Sequence, residues 1–158
     1  MATIGEFLKN LESINLLEEV GNIIDHNTGA IKQLNREQML QGKNNQGGML
    51  PSILGDPYFK KPGADKRYAD FKHRLFPESP YGISNFTVFN RFHNSIKIFR
   101  NGGLVTFDSS VSFAGAIESK TNNTVLGLND ESKGTAWRMI IRPELVQTLA
   151  SKLGAKTK

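Results

Sequence analysis

Cysteine is absent from the 158 residues, which excludes a disulfide framework, a thiolate metal site and a cysteine nucleophile. No apolar run approaches the roughly 18 residues a membrane-spanning helix requires, and the N-terminus lacks a basic stretch followed by an apolar one. The expectation is a soluble, cytoplasmically made chain with no membrane partner. Recognisable catalytic motifs are missing as well: there is no HExxH, no GxSxG and no GxxxxGK[ST]. The histidines, His26, His73 and His93, stand alone without ligand spacing. Gly42-Lys43 and Gly102-Gly103 look superficially like phosphate loops, yet neither opens a helix after a strand. A pairing such as His93 with Glu118 would depend on proximity alone. No catalytic, metal or cofactor-binding residue is therefore expected.

What is present suits a single folded domain over residues 1–158: 38% hydrophobic residues including ten Phe, with 15 Gly marking turns. Lys and Arg number 20 against 15 Asp and Glu, a formal charge of +5. The excess gathers at Lys60, Lys61, Lys66, Arg67, Lys72 and Arg74, interrupted by Asp65 and Asp70. Such a run serves either as a solvated helix face or as a patch that meets phosphate or an acidic partner. The nearby Tyr58, Phe59, Tyr68, Phe71 and Phe76 can stack bases, but Tyr68 and Phe71 also sit at core spacing.

Along the chain, Ile4, Phe7, Leu8, Leu11 and Ile14 form one helical stripe, with Thr3 and Glu6 placed for a capping box. Leu16, Leu17, Val20, Ile23 and Ile24 form a second, offset stripe, which predicts a bend near residues 13–15 and a loosening at Gly21 or at 27–29. Ile31, Leu34 and Leu40 carry a weaker stripe to Gly42. From Lys43 to Pro62 a long loop is expected, with Met49, Leu50, Ile53, Leu54 and Phe59 as its apolar anchors; so long a loop is either an interaction arm or a mobile surface segment. A helix over 64–75 places Ala64, Tyr68, Phe71 and Leu75 on its apolar side, and Pro77 and Pro80 follow it. Phe86, Phe89 and Phe92 recur every three residues, the spacing of one side of a helical turn.

Asn101-Gly102 between two alternating segments predicts a hairpin over 95–108. A two-residue loop there pairs Ile98 with Val105 and Phe99 with Leu104. Ile96, Ile98, Val105 and Phe107 then share a buried face, while Phe99 and Leu104 form an apolar pair on the opposite face, a candidate packing surface. A short helix is expected within 111–120, a strand or extended entry over 125–128, and a helix after the cap Asn129. Arg142-Pro143 marks a kink or a new helix start, and Gly154 a stop before a frayed tail at 155–158. The fold class is α+β: N-terminal helices, long loop, helix, small antiparallel sheet with an Asn-Gly hairpin, C-terminal helix.

One resemblance adds to this reading. Leu34-Asn35, Gln38-Met39, Gly42-Lys43, Gly47-Gly48, Leu50 and Tyr58 follow the order LN-x-x-Q-[ML]-x-x-G, GK-x-x-x-G-G-x-L and a Tyr-containing loop. This order resembles head-to-tail joining proteins of tailed phages that infect gut Bacteroidales, crAss-like phages included. With the segment Phe89 to Phe107 it covers about half of the chain. The family's Asp-Thr-Gly is replaced here by Val88-Phe89-Asn90, ahead of Arg91-Phe92-His93-Asn94-Ser95-Ile96. The resemblance implies a non-catalytic virion protein that forms a ring in the neck or tail with copies of itself. Portal and other neck or tail proteins would be its neighbours, and assembly would take place in the host cytoplasm. A small basic nucleic-acid-binding module is the alternative, with DNA contact that is weak, non-specific and salt-sensitive.

Overall fold

The computed structural model describes residues 4–87 and 90–154. Thr3 of the expected capping box, Val88 and Phe89 before the fifth helix, and the tail 155–158 lie outside them. The elements run α1 (Ile4–Glu12), α2 (Leu16–His26), α3 (Thr28–Leu40), α4 (Ala64–Leu75), α5 (Arg91–Ser95), β1 (Ile96–Asn101), β2 (Leu104–Ser109), α6 (Ala114–Lys120), α7 (Asp130–Ala136), a π-turn (Trp137–Ile141) and α8 (Arg142–Lys152). This is an α+β fold with one two-stranded antiparallel sheet among the described residues.

Local chemistry sets the helix boundaries. The expected bend falls at 13–15, where the Asn15 side chain accepts from the Glu18 N–H and starts α2 with Glu18 and Glu19 in its first turn. The helix passes through Gly21 unbroken and ends at Asn27. Asn129 likewise accepts from the Ser132 N–H and opens α7. Pro143 falls in the first turn of α8, where its missing N–H would otherwise leave the residue 139 carbonyl without a partner and its ring would crowd that carbonyl. The chain relieves both by widening the turn before it, and the Arg142 N–H reaches back to the Trp137 oxygen. The expected kink is thus a π-turn. α8 packs antiparallel to α2: Asn27 Nδ2 donates to Glu144 Oε1 at 2.9 Å at one end, and Lys152 pairs with Glu19 at the other.

The hairpin forms with its turn one residue further along than expected, which shifts the pairing by two residues. Gly102 and Gly103, rather than Asn101 and Gly102, are the central turn residues, so Asn101 pairs with Leu104, Arg100 with Val105, Phe99 with Thr106 and Ile98 with Phe107. Gly102 has φ +58° and Gly103 lies outside the left-handed region, the pattern of a type II′ turn. Asn101 is thereby spared a positive φ. The alternation holds: Ile96, Ile98, Val105 and Phe107 turn inward, and Phe99 and Leu104 outward, though diagonal to one another rather than opposed. Arg100 shares the inward face. Its Nε and Nη2 donate to Asp25 Oδ2 at 3.0 and 2.8 Å, and its guanidinium covers Gly21 of α2, where a Cβ would come within 2.5 Å of it.

The core is built from Met39, Leu50, Phe92, Ile96, Ala114 and Val125, with Ile83, Phe86, Phe107, Val111, Ile117 and Leu126 packed against it. The stretch 43–62 is mostly exposed but is tied to this core at several points, against the expectation of a loop with little contact to its own domain. Leu50 and Ile53 are buried. Lys43 and Met49 form a bridge around Gly47-Gly48, and Ser52 bridges to Ile83. Asn44 Oδ1 accepts from the N–H groups of Gln46 and Gly48, closing that small loop. Asn45 ties it to the far end of the chain through its N–H to the Thr124 oxygen and its Nδ2 to the Leu126 oxygen, 2.8 and 2.7 Å. Asn44 and Asn45 are satisfied internally, and their bonds hold the otherwise exposed turn in place.

Two buried amides of α3 hold the chain just before α7. Asn35 Nδ2 and Gln38 Nε2 donate to the Gly127 oxygen at 2.8 and 3.1 Å, and Gln38 Oε1 accepts from the Asn129 N–H at 2.8 Å. The segment 125–128 is accordingly extended and bent rather than a strand. α4 turns a different side inward from the one expected: Ala69 and Lys72 are buried, while Phe71 and Leu75 are exposed. Phe86 is not on a helical turn either. It sits in a non-helical stretch with φ +53°, and its ring meets Phe92 at a centroid distance of 6.0 Å in the core.

Candidate functional site

α4, α6, α5 and the segments 53–59 and 84–86 line an open-sided cavity of about 580 Å3. Tyr58, Phe59, Tyr68, Phe86, Phe92 and Phe113 supply aromatic walls, and Ile53, Ala116 and Ile117 add aliphatic surface. Phe59 joins the Tyr58 and Tyr68 rings at 5.5 and 5.3 Å, so α4 and the 53–59 segment share one aromatic wall. Four charged side chains reach the lining: Lys72, Arg91, Lys120 and Asp56. Asp56 pairs with Lys120, and that ammonium together with the Tyr58 N–H holds its carboxyl below the ordinary range. The Arg91 guanidinium lies over the Phe113 ring at 5.6 Å.

Lys72 differs from both. Only 6% of it is exposed, and no acceptor among the described residues pairs with its ammonium. The Tyr68 ring lies 5.9 Å from Nζ, and burial pushes the amine down to about 8. A second buried titratable group, His93, bonds through Nε2 to the Asn85 oxygen at 2.9 Å, while its Nδ1 has no partner among the described residues. Burial depresses its basicity, and the charges it feels are those of Arg36 and Lys72. Glu118 is not among its partners. No group of three or more His, Asp and Glu side chains among the described residues is arranged to hold a metal ion.

The residues singled out in the sequence fall into three places. Of the loop anchors, Leu50 and Ile53 are core, Met49 and Leu54 are exposed, and half-buried Phe59 walls the cavity. Leu54 also covers Gly82, whose left-handed φ of +73° leaves no room for a Cβ beside it. Of the basic run, Lys60, Lys61, Lys66, Arg67 and Arg74 are exposed, and Lys72 is withdrawn into the cavity. Asp65 caps the loop by accepting from the Gly55 N–H, and Asp70 accepts from the Tyr81 hydroxyl.

Phe99 and Leu104 form part of a third region. Leu104 is 67% exposed, and a Cβ on the adjacent Gly103 would lie 3.4 Å from Leu17, itself 60% exposed. The hairpin tip and the start of α2 thus present apolar side chains in one neighbourhood, beside Leu16. Leu8 and Leu11 of α1 are half exposed as well. Sequence reasoning found Phe99 and Leu104 through strand alternation but missed Leu16 and Leu17, because helical spacing marks an apolar stripe without saying what covers it. Trp137 and Met139 of the π-turn and Val146 of α8 are exposed too, Met139 by 73%. No helix among the described residues is long and apolar enough to cross a membrane. No family model matches the chain, and neither the curated proteins nor the solved structures contain a match.

Proposed function

We propose that this protein is a structural component of a tailed-phage virion, a subunit that associates with copies of itself in a ring of the neck or tail between portal and tail. The observation that carries the reading is the uncovered apolar surface at the hairpin tip and the start of α2, where Leu16, Leu17, Phe99 and Leu104 are all more than half exposed. Large apolar side chains gathered in this way favour association over solvent. The C-terminal helical region carries a further set in Trp137, Met139 and Val146. Head-to-tail closure of a ring requires two different surfaces per subunit, and these two sets are candidates for them. The sequence resemblance supplies the virion context.

Several motif residues behind that resemblance, Asn35, Gln38, Met39 and Leu50, are buried within the subunit. Association must then use the exposed apolar sets. The exposed cations Lys60, Lys61, Lys66, Arg67 and Arg74 suit weak, sequence-independent contact with DNA or an acidic neighbour. The test is a double substitution, Leu17→Asp with Leu104→Asp. It is expected to leave the thermal melt of the free subunit intact and to abolish both ring formation in electron micrographs and incorporation into particles. Unchanged assembly of the double variant, or wild-type protein absent from purified virions, would overturn the proposal.

A further inference from the structure

We infer that the aromatic cavity beneath α4 is a binding site for a small monocarboxylate with an aromatic body, its carboxylate meeting the Lys72 ammonium and its body filling the space between Tyr68, Phe86, Phe92 and Phe113. The inference stands apart from the assembly reading and rests on the cavity itself. Its volume of about 580 Å3 lies within the span of small-molecule sites, roughly 300–1000 Å3. Those sites are mostly apolar with a few convergent polar groups, and this one follows the pattern.

Charge selects the ligand class. The lining carries three cations, Lys72, Arg91 and Lys120, against the single carboxylate of Asp56. That carboxylate is engaged by Lys120, and of the two cations without a carboxylate partner among the described residues Arg91 is exposed to solvent while Lys72 is buried. An ammonium whose residue is mostly withdrawn from water and that has no anion beside it is poorly solvated, and an entering carboxylate relieves that. A bare dianion such as phosphate has no apolar body to fill the space between the aromatic walls. A neutral aromatic molecule would fill the space and leave the ammonium unanswered. One negative charge on an apolar body satisfies both parts of the cavity at once.

The probe pair is 4-phenylbutyrate and 4-phenylbutanol, nearly equal in shape and different in charge. Their affinities for the full chain are measured by calorimetry at pH 7, with the Lys72 ε-methylene resonance followed by NMR. The acid is expected to bind at least tenfold more tightly than the alcohol and to shift that resonance. In Lys72→Met the two are expected to bind equally, with the alcohol retaining its wild-type affinity, and a cooperative melt of the variant certifies its fold. The wild-type preference should fade as pH rises past 8, where the amine loses its proton. Equal binding of acid and alcohol to the wild type would overturn the inference. So would no binding of either at millimolar concentration, or a preference that survives in Lys72→Met. Inorganic phosphate shifting the Lys72 resonance as strongly as the acid would reduce the site to a simple anion site and overturn it too.

Discussion

Replacing Lys72 by Met should stabilise the protein at neutral pH, and the gain should vanish in alkali. The amine is buried and its basicity falls from 10.5 to about 8, with burial as the cause. At about 1.4 kcal/mol per pH unit, that difference of about 2.5 units corresponds to about 3 kcal/mol. Below pH 8 both folded and unfolded chains carry the proton, and the folded state bears the full penalty of a buried charge. Between pH 8 and 10.5 the unfolded chain still holds a proton that the folded one has lost, so stability rises with pH. Above 10.5 both are neutral and the penalty is gone. Methionine carries no charge at any pH and fits a similar volume, so the variant lacks this rise. Urea unfolding of both proteins at pH 7, 8, 9 and 10 measures the difference directly. The variant should lead by up to about 3 kcal/mol at pH 7, and the lead should shrink steadily across the higher values. A lead that does not change with pH, or a variant less stable than wild type at pH 7, would refute the assignment of Lys72 as an unanswered buried cation.

Two glycines of the 42–48 turn should respond differently to alanine. Gly42 has φ +71° and an added Cβ 2.9 Å from Ile83 Cγ2, whereas Gly47 has φ +82° and open space around it. Gly47→Ala should therefore cost about 1 kcal/mol from backbone strain alone. Gly42→Ala should lower the urea midpoint further, and equal losses would contradict the packing of Ile83 against the turn. Gln38→Ala removes a donor to the Gly127 oxygen and the acceptor of the Asn129 N–H. A loss of about 2–4 kcal/mol is expected from the buried groups it leaves unpaired, together with faster amide exchange at Asn129; unchanged exchange there would sink the idea.

The helices were legible wherever apolar spacing and a capping side chain agreed, as in α2 with Asn15 and α7 with Asn129. The hairpin was legible too, but Asn101-Gly102-Gly103 offers two overlapping two-residue turns, and the strong preference for Asn-Gly pointed to the one not taken. The choice fell to the turn that keeps Asn101 out of the left-handed region. The anchoring of residues 43–62 to their own domain was missed because its partners are distant in sequence. Their amides and backbone groups find partners at Thr124 and Leu126, more than 70 positions away, where no local pattern can point. Lys72 was misread for another reason. Ala69, Lys72 and Phe76 form a helical stripe of their own, and the charge concealed it behind the more apolar stripe of Tyr68, Phe71 and Leu75. The cavity follows from that choice of face, and so was invisible beforehand.

The clasp between α3 and residues 125–129 has a consequence for how the chain comes off the ribosome. Asn35 and Gly127 are 92 positions apart, and Val125 is a fully buried member of the same core as Met39, Leu50 and Phe92. Until residue 129 has emerged, the amides of Asn35 and Gln38 lack their partners and the apolar faces of Met39 and Leu50 lack their cover. A nascent chain of 100 residues therefore displays most of its core to its neighbours, and closing so long a loop is slow compared with winding the helices. The interval between emergence of α5 and emergence of α7 is when a holdase would find the most to grip and when two nascent chains would most readily stick together.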